Sequence, residues 1–224
     1  MRNISNVLSL SRKYLLKPYT IDDICYSLYT IFKDRATSIA YEKPNCSHMF
    51  IVGSNYEVRI FISSLREMQL NLLVDVGNII SDKIITFAQT MFCNIDRILS
   101  RFCETEGDIH VLFRSTFRCK ALNIDDIEKR LSYLGVVVYS RELHTVSDIV
   151  LSVIRGKLVG RNLKRFDITV TFIENDESEI SISVETDVDS RKPLNQIIEV
   201  QDILFSLIET LIADNNHKTL TKYR

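Results

Sequence analysis

The chain has 224 residues, 46% of them apolar and 25% charged, with only 6 Gly and 3 Pro; this balance excludes a disordered or collagen-like chain and allows one large domain or two small ones. A formal net charge of −1 leaves no overall positive excess for holding a polyanion, so a nucleic-acid contact has to be local. The N-terminus lacks a secretory apolar run and no stretch reaches the ~18–20 apolar residues of a membrane span, so a cytoplasmic protein without membrane contact is expected.

The first strand-like stretch runs from Asn6 to Lys17. Thr20 then precedes Ile21-Asp22-Asp23-Ile24, a hydroxyl cap followed by two acids at the positive end of the dipole, with Leu28 and Ile31 on the same face; a helix begins here. Strands follow around Val58-Arg59-Ile60 and Leu70 to Val76. A long helix comes next, with a core row of Ile85, Ala88, Met91, Phe92, Ile95 and Leu99.

The same order recurs. Ile109 to Lys120 alternates as a strand, with Phe117 matching Tyr14. Asn123 caps Ile124-Asp125-Asp126-Ile127, followed by Leu131 and Leu134. Val170-Thr171-Phe172 and Ile182 to Val188 match the earlier strands, and Ile197, Val200, Ile203, Leu204, Leu207 and Leu211 match the long helix one for one. A single insertion near Val136 to Val153 accounts for the change of register between the copies. The expected fold is α+β: a tandem duplication of a β-α-β(3 or more)-α unit, repeats 1–107 and 108–224 packed as one compact unit, with antiparallel sheets and two long helices on one face. Two unrelated α+β halves sharing caps and a β period are the competing reading.

In element order this arrangement resembles the duplicated saddle of the TATA-box-binding proteins and other helix-grip folds. The Gly-rich strand signatures and paired Phe wedges of those saddles are missing from the aligned strands, so the resemblance carries element order alone.

Few constellations carry chemistry. The densest basic run, Arg155 to Arg165, supplies Arg155, Lys157, Arg161, Lys164 and Arg165 without an acid, which suits a phosphate-contacting hairpin or equally a solvated strand pair with charged gatekeepers. Glu174 to Glu179 is acidic but lacks EF-hand spacing and reads as a hairpin turn, and no metal site is expected. The cysteines, Cys25, Cys46, Cys93, Cys103 and Cys119, are scattered and read as reduced thiols; strand alternation sets Cys119 and His110 on opposite faces. The first-turn pairs Asp22-Asp23 and Asp125-Asp126 are explained by helix capping. No nucleotide, flavin or hydrolase motif occurs, so no cofactor and no catalytic residue is expected, and an enzyme is disfavoured.

The expected function is a non-enzymatic binding or scaffold module whose exposed sheet face or edge meets protein or nucleic acid, with a protein partner or self-association favoured over local nucleic-acid contact. The alternative is a helix-grip domain that binds a small apolar ligand or acts as an enzyme, with a pocket lined by Phe61, Phe92, Phe172 and Leu204.

Overall fold

A computed structural model describes residues 5–17, 21–42, 47–62, 67–77, 82–120, 123–146, 149–160, 164–173, 177–189 and 193–212. Thr20, the expected first cap, lies outside these residues. The chain is α+β, with a large antiparallel sheet and four helices.

In chain order the elements are β1 (Ser5–Leu16), α1 (Ile21–Phe32), β2 (Ser38–Glu42), β3 (Ser47–Val52), β4 (Tyr56–Ile62), β5 (Glu67–Asp75), α2 (Asp82–Leu99), β6 (Cys103–Lys120), α3 (Ile124–Tyr133), β7 (Val137–Val146), β8 (Ile149–Val159), β9 (Arg165–Ile173), β10 (Glu177–Val188) and α4 (Pro193–Ile212). One strand, a helix, four strands and a helix thus occur twice. The strands hydrogen-bond in the order β2-β3-β4-β5-β1-β6-β10-β9-β8-β7.

The chain divides into two compact units, residues 7–111 with 187–197, here the N-terminal unit, and residues 1–6, 112–186 and 198–224, the C-terminal unit. In the N-terminal unit β1 pairs with β5, β5 with β4, β4 with β3 and β3 with β2, every pair antiparallel. Strict alternation buries Leu8, Leu10, Tyr14, Met68, Leu70, Leu72, Val74, Val58 and Ile60, against which α2 contributes Ile85, Ala88, Phe92, Ile95 and Leu99. Residues between them, such as Ser9, Ser11, Gln69 and Asn71, keep solvent contact on the opposite face. Period-2 alternation on strands and period-3.6 rows on helices are what bury one face of each.

In the C-terminal unit β10 pairs with β9, β9 with β8 and β8 with β7, again antiparallel. Phe113, Phe117, Phe166, Ile168, Val170, Phe172, Ile180, Ile182 and Val184 form its buried row. On α3, Asn123 accepts the Asp126 amide at 2.8 Å, the cap its sequence called for. At the other end of α4, Arg130 donates to the carbonyls of Thr210 and Leu211, supplying a cation and donors where a helix leaves its last carbonyls open.

Among the described residues β2–β3 pairs at five positions and β3–β4 at six, and β7–β8 and β8–β9 at nine each, so the backbone groups of β7, β8 and β9 are satisfied along long hairpin ladders.

Two glycines sit at hairpin turns. A Cβ at Gly53, between β3 and β4, would lie 2.1 Å from the Tyr56 ring, and one at Gly160, between β8 and β9, 2.5 Å from the Phe166 ring. Each glycine therefore gives an aromatic at the start of the next strand room to fold over the turn. In the interior of β8, a Cβ on Gly156 would meet Val136 at 2.5 Å and the Val137 carbonyl at 3.2 Å. Gly156→Ala is expected to destabilise by about 1–3 kcal/mol, read as a lower urea midpoint at unchanged m-value.

Candidate functional site

Sheet positions pointing away from the buried rows form the candidate surface. In the N-terminal unit they carry a ring cluster on β3 and β4. His48 lies opposite Phe61 in the ladder, and Phe50 opposite Arg59. Their rings stand 5.0 Å (His48–Phe61, edge-on), 6.1 Å (Phe50–Phe61, edge-on) and 6.3 Å (His48–Phe50, stacked) apart, within the range of attractive aromatic pairs. All three side chains are part-exposed. Around them the face is mixed, with exposed Val52 and Leu15 among Ser9, Ser11, Lys13, Gln69, Asn71 and the Arg59–Glu57 pair, whose two hydrogen bonds of 2.7 and 2.9 Å hold the Glu57 carboxyl below its usual range.

In the C-terminal unit the outward positions of β8 and β9 include part-exposed Leu151 opposite Ile173 and Val153, itself buried, opposite Thr171, bordered by hydroxyls such as Thr169, Ser181 and Ser183. Here two members of the basic run appear. Arg155 is bonded to Glu142 of β7, and this bond, with a second from His144, holds the Glu142 carboxyl low. Lys157 lies 3.8 Å from Asp167 and 5.5 Å from the Tyr139 ring. Arg161 is outside the described residues; Lys164 approaches the Phe166 ring at 5.9 Å, and Arg165, at the start of β9, is exposed. The run therefore splits into two outward strand cations with carboxylate partners and two cations at the turn.

Of the four residues assigned to an apolar pocket, Phe92 is fully buried in the N-terminal unit and Phe172 and Leu204 in the C-terminal unit, while Phe61 belongs to the ring cluster. An open pocket of about 470 Å³ lies elsewhere in the N-terminal unit, lined by residues including Arg12, Lys13, Glu106, Asp108, His110 and Asp187. His110 Nδ1 is 3.1 Å from Asp187 at its rim.

Beneath that pocket sits a buried polar triad. Arg12, with its side chain 8% exposed, donates to Asp96 at 3.2 and 3.3 Å and to the Gly107 carbonyl at 2.9 and 3.2 Å; Tyr14 donates to Asp96 at 2.6 Å. Gly107 adopts φ 72°, a left-handed conformation that aims its carbonyl at the guanidinium. Burial and the Asp96 carboxylate push the Tyr14 phenol far above its ordinary range, so it remains a donor. The residues that the sequence alignment matches to these three are Ser115, Phe117 and Ile208, all buried in the C-terminal unit. Ser115 Oγ is buried there without a hydrogen-bond partner. Ser115→Ala is therefore expected to be neutral or to stabilise by up to about 1 kcal/mol in urea unfolding.

The Cys103 thiol is pushed up to about 11 by burial, so it stays protonated at neutral pH. Among the described residues no group of three His, Cys, Asp or Glu is placed to hold a metal ion, and no helix is long and apolar enough to cross a membrane.

The chain is thus an α+β protein with a large antiparallel sheet. No family model matches it, and no curated protein does. Among solved structures it is similar to the aspartate kinase of Clostridium acetobutylicum, with 10% identity and a TM-score of 0.27, over 93% of this chain and 33% of that one. The chain spans a third of that enzyme's length, and a likeness at this level carries no argument.

Proposed function

We propose that this chain is a non-enzymatic binding module, built by duplication of one β-α-β-β-β-β-α unit with the long helices on the buried side of the sheet, and that the unburied sheet face is its contact surface for a partner protein. The His48–Phe50–Phe61 cluster carries the proposal: three part-exposed rings packed on one another, beside exposed Val52 and Leu15 and bordered by hydroxyls, amides and the Arg59–Glu57 pair, have the composition of a binding hot spot with a polar rim. Three features support the duplication. Each unit threads its strands in the same order, from the helix-connected edge strand to the first strand. Of the six matched positions on α2 and α4, five are buried in both helices and the sixth, Met91 or Ile203, is part-exposed in both. Corresponding turns place Gly53 under Tyr56 and Gly160 under Phe166.

Charge pairing favours a protein over a polyanion. Arg59, Arg118, Arg155 and Lys157 each lie beside a carboxylate, Glu57, Glu179, Glu142 and Asp167 respectively, so a phosphate contact at any of them has to displace an acid. A second reading, local nucleic-acid contact, is supported by the accessible Phe50 and Phe61 rings, which suit stacking or insertion at a base step.

One double variant, Phe50→Ala with Phe61→Ala, tests both. The immobilised intact chain is expected to retain a partner protein after nuclease treatment and the variant to lose it, while a mixed-sequence DNA duplex binds both no tighter than ~10⁻⁴–10⁻⁶ M at physiological salt. Retention unchanged by the substitutions contradicts the proposal. Tight duplex binding that the double variant abolishes transfers the surface to the second reading.

A further inference from the structure

We infer that β7 is a self-pairing edge through which two copies of this chain join, antiparallel, with Leu143 facing its own counterpart across a twofold axis. The inference concerns the sheet's edge and goes beyond the proposal for its face; the two rest on different strands and can fail separately.

The strand order ends at β2 on one side and at β7 on the other. An edge strand presents a row of backbone N–H and C=O groups whose natural complement is another strand, and proteins blunt such edges by shortness, charge or bulges. β2 is blunt in this sense, at 5 residues, whereas β7 runs for 10. β7 also carries apolar side chains in water: Val137 is 70% exposed, Tyr139 56% and Leu143 65%, with Tyr133 of α3, just before it, at 75%. Of these, Leu143 lies inside the stretch Ser140–Val146 that a second copy can pair, and the exposure of Val137, Tyr139 and Tyr133 lies beside it; exposed apolar groups on an edge mark an interaction site or an aggregation hazard.

The pattern of charge along β7 selects a second copy as the occupant. In an antiparallel pair, directly opposite residues share a face, so a twofold axis normal to the sheet passes through one residue and its counterpart. An axis at Arg141 or at Glu142 sets like charges directly opposite, which is destabilising. An axis at Leu143 sets leucine on leucine and brings each Glu142 opposite the other copy's His144, with each Arg141 opposite a Thr145 hydroxyl. The acid–imidazole contact already made within one strand, Glu142 to His144 at 3.2 Å, is then repeated across the interface. The register break between Val138 and Ser140 stops the intermolecular ladder at Ser140, as bulges do at sheet edges. Arg141 is anchored on the other side by Glu128 and Asp125 of α3, which fixes the strand's orientation.

Light scattering on the full chain over about 1–100 μM tests this, with Leu143→Lys as the disrupting variant and Tyr26→Lys, an exposed apolar position on α1, as the control. The unsubstituted chain and the control are expected at twice 25.9 kDa and Leu143→Lys at 25.9 kDa, with the same far-UV circular dichroism in all three and a melting temperature that rises with protein concentration only for the first two. Under mild oxidation Leu143→Cys is expected to form a covalent dimer that the unsubstituted chain does not form. A chain that stays at 25.9 kDa throughout, or a dimer that Leu143→Lys leaves intact, overturns the inference, and a monomer that instead captures a strand of a different protein does so equally.

Discussion

Replacing Asp96 by Ala is expected to lower the unfolding free energy by about 3–5 kcal/mol, because it strands a buried guanidinium and a buried phenol together. The Arg12 side chain is 8% exposed and that of Asp96 24%, so solvent screens this pair poorly. Two Arg12 bonds to the Gly107 carbonyl survive the change, but neither removes the net charge. The C-terminal unit suggests the remedy, since Ser115, Phe117 and Ile208 occupy the matched positions and bury no charge at all. A triple variant, Arg12→Ser with Tyr14→Phe and Asp96→Ile, is expected to recover most of the loss, returning to within about 1–2 kcal/mol of the unsubstituted chain, as apolar replacements of buried ion pairs often do. Urea unfolding at fixed m-value measures both. A triple variant less stable than Asp96→Ala contradicts the equivalence of the two sites.

The second large effect concerns the matched long helices. Phe92→Ala on α2 and Leu204→Ala on α4 are expected to cost about 3–5 and 2–5 kcal/mol respectively, because each side chain is fully buried and its removal leaves a cavity as well as a lost transfer term. The neighbouring matched pair, Met91 and Ile203, is half-exposed in both units, and its truncation is expected to cost only about 1 kcal/mol at either position. The comparison within each helix is the informative one. Equal costs at Phe92 and Met91, or at Leu204 and Ile203, are the outcome that contradicts the common register.

Legibility in the sequence varied with the physics of each feature. Helix rows and alternating strands were readable because burying one face imposes a period, and Ile85 to Leu99 and Ile180 to Val184 keep that period without exception. The Asn123 cap was readable because a cap acts within three residues. Strand order was not, since pairing joins segments far apart in the chain, and neither was the length of the β7–β8 and β8–β9 ladders, since alternation does not say where the turns fall.

The candidate surface was missed for a related reason. Phe50 and Phe61 occupy ordinary-looking strand positions, and only the β3–β4 ladder sets them on one face with His48. Phe61 read as a pocket residue because alternation alone does not say which of two faces is buried. Gly53 before Tyr56 and Gly160 before Phe166 were visible as letters, but that each makes room for the ring that follows is a contact only the folded turn brings about. The basic run 155–165 stood out as letters, yet the carboxylates beside Arg155 and Lys157, Glu142 and Asp167, come from neighbouring strands. Likewise the Arg12–Asp96 bond spans 84 positions, which no local pattern announces.

The open-face proposal is tested most directly by hydroxyl-radical footprinting of the chain alone and with its captured partner, reading aromatic side chains on both sides of the molecule's layers. Protection of Phe50 and Phe61 on partner binding, with the exposed Tyr26 and Tyr29 of α1 unchanged, is the predicted result. Protection of Tyr26 and Tyr29 while Phe50 and Phe61 react as freely as before would move the contact to the helices and contradict it.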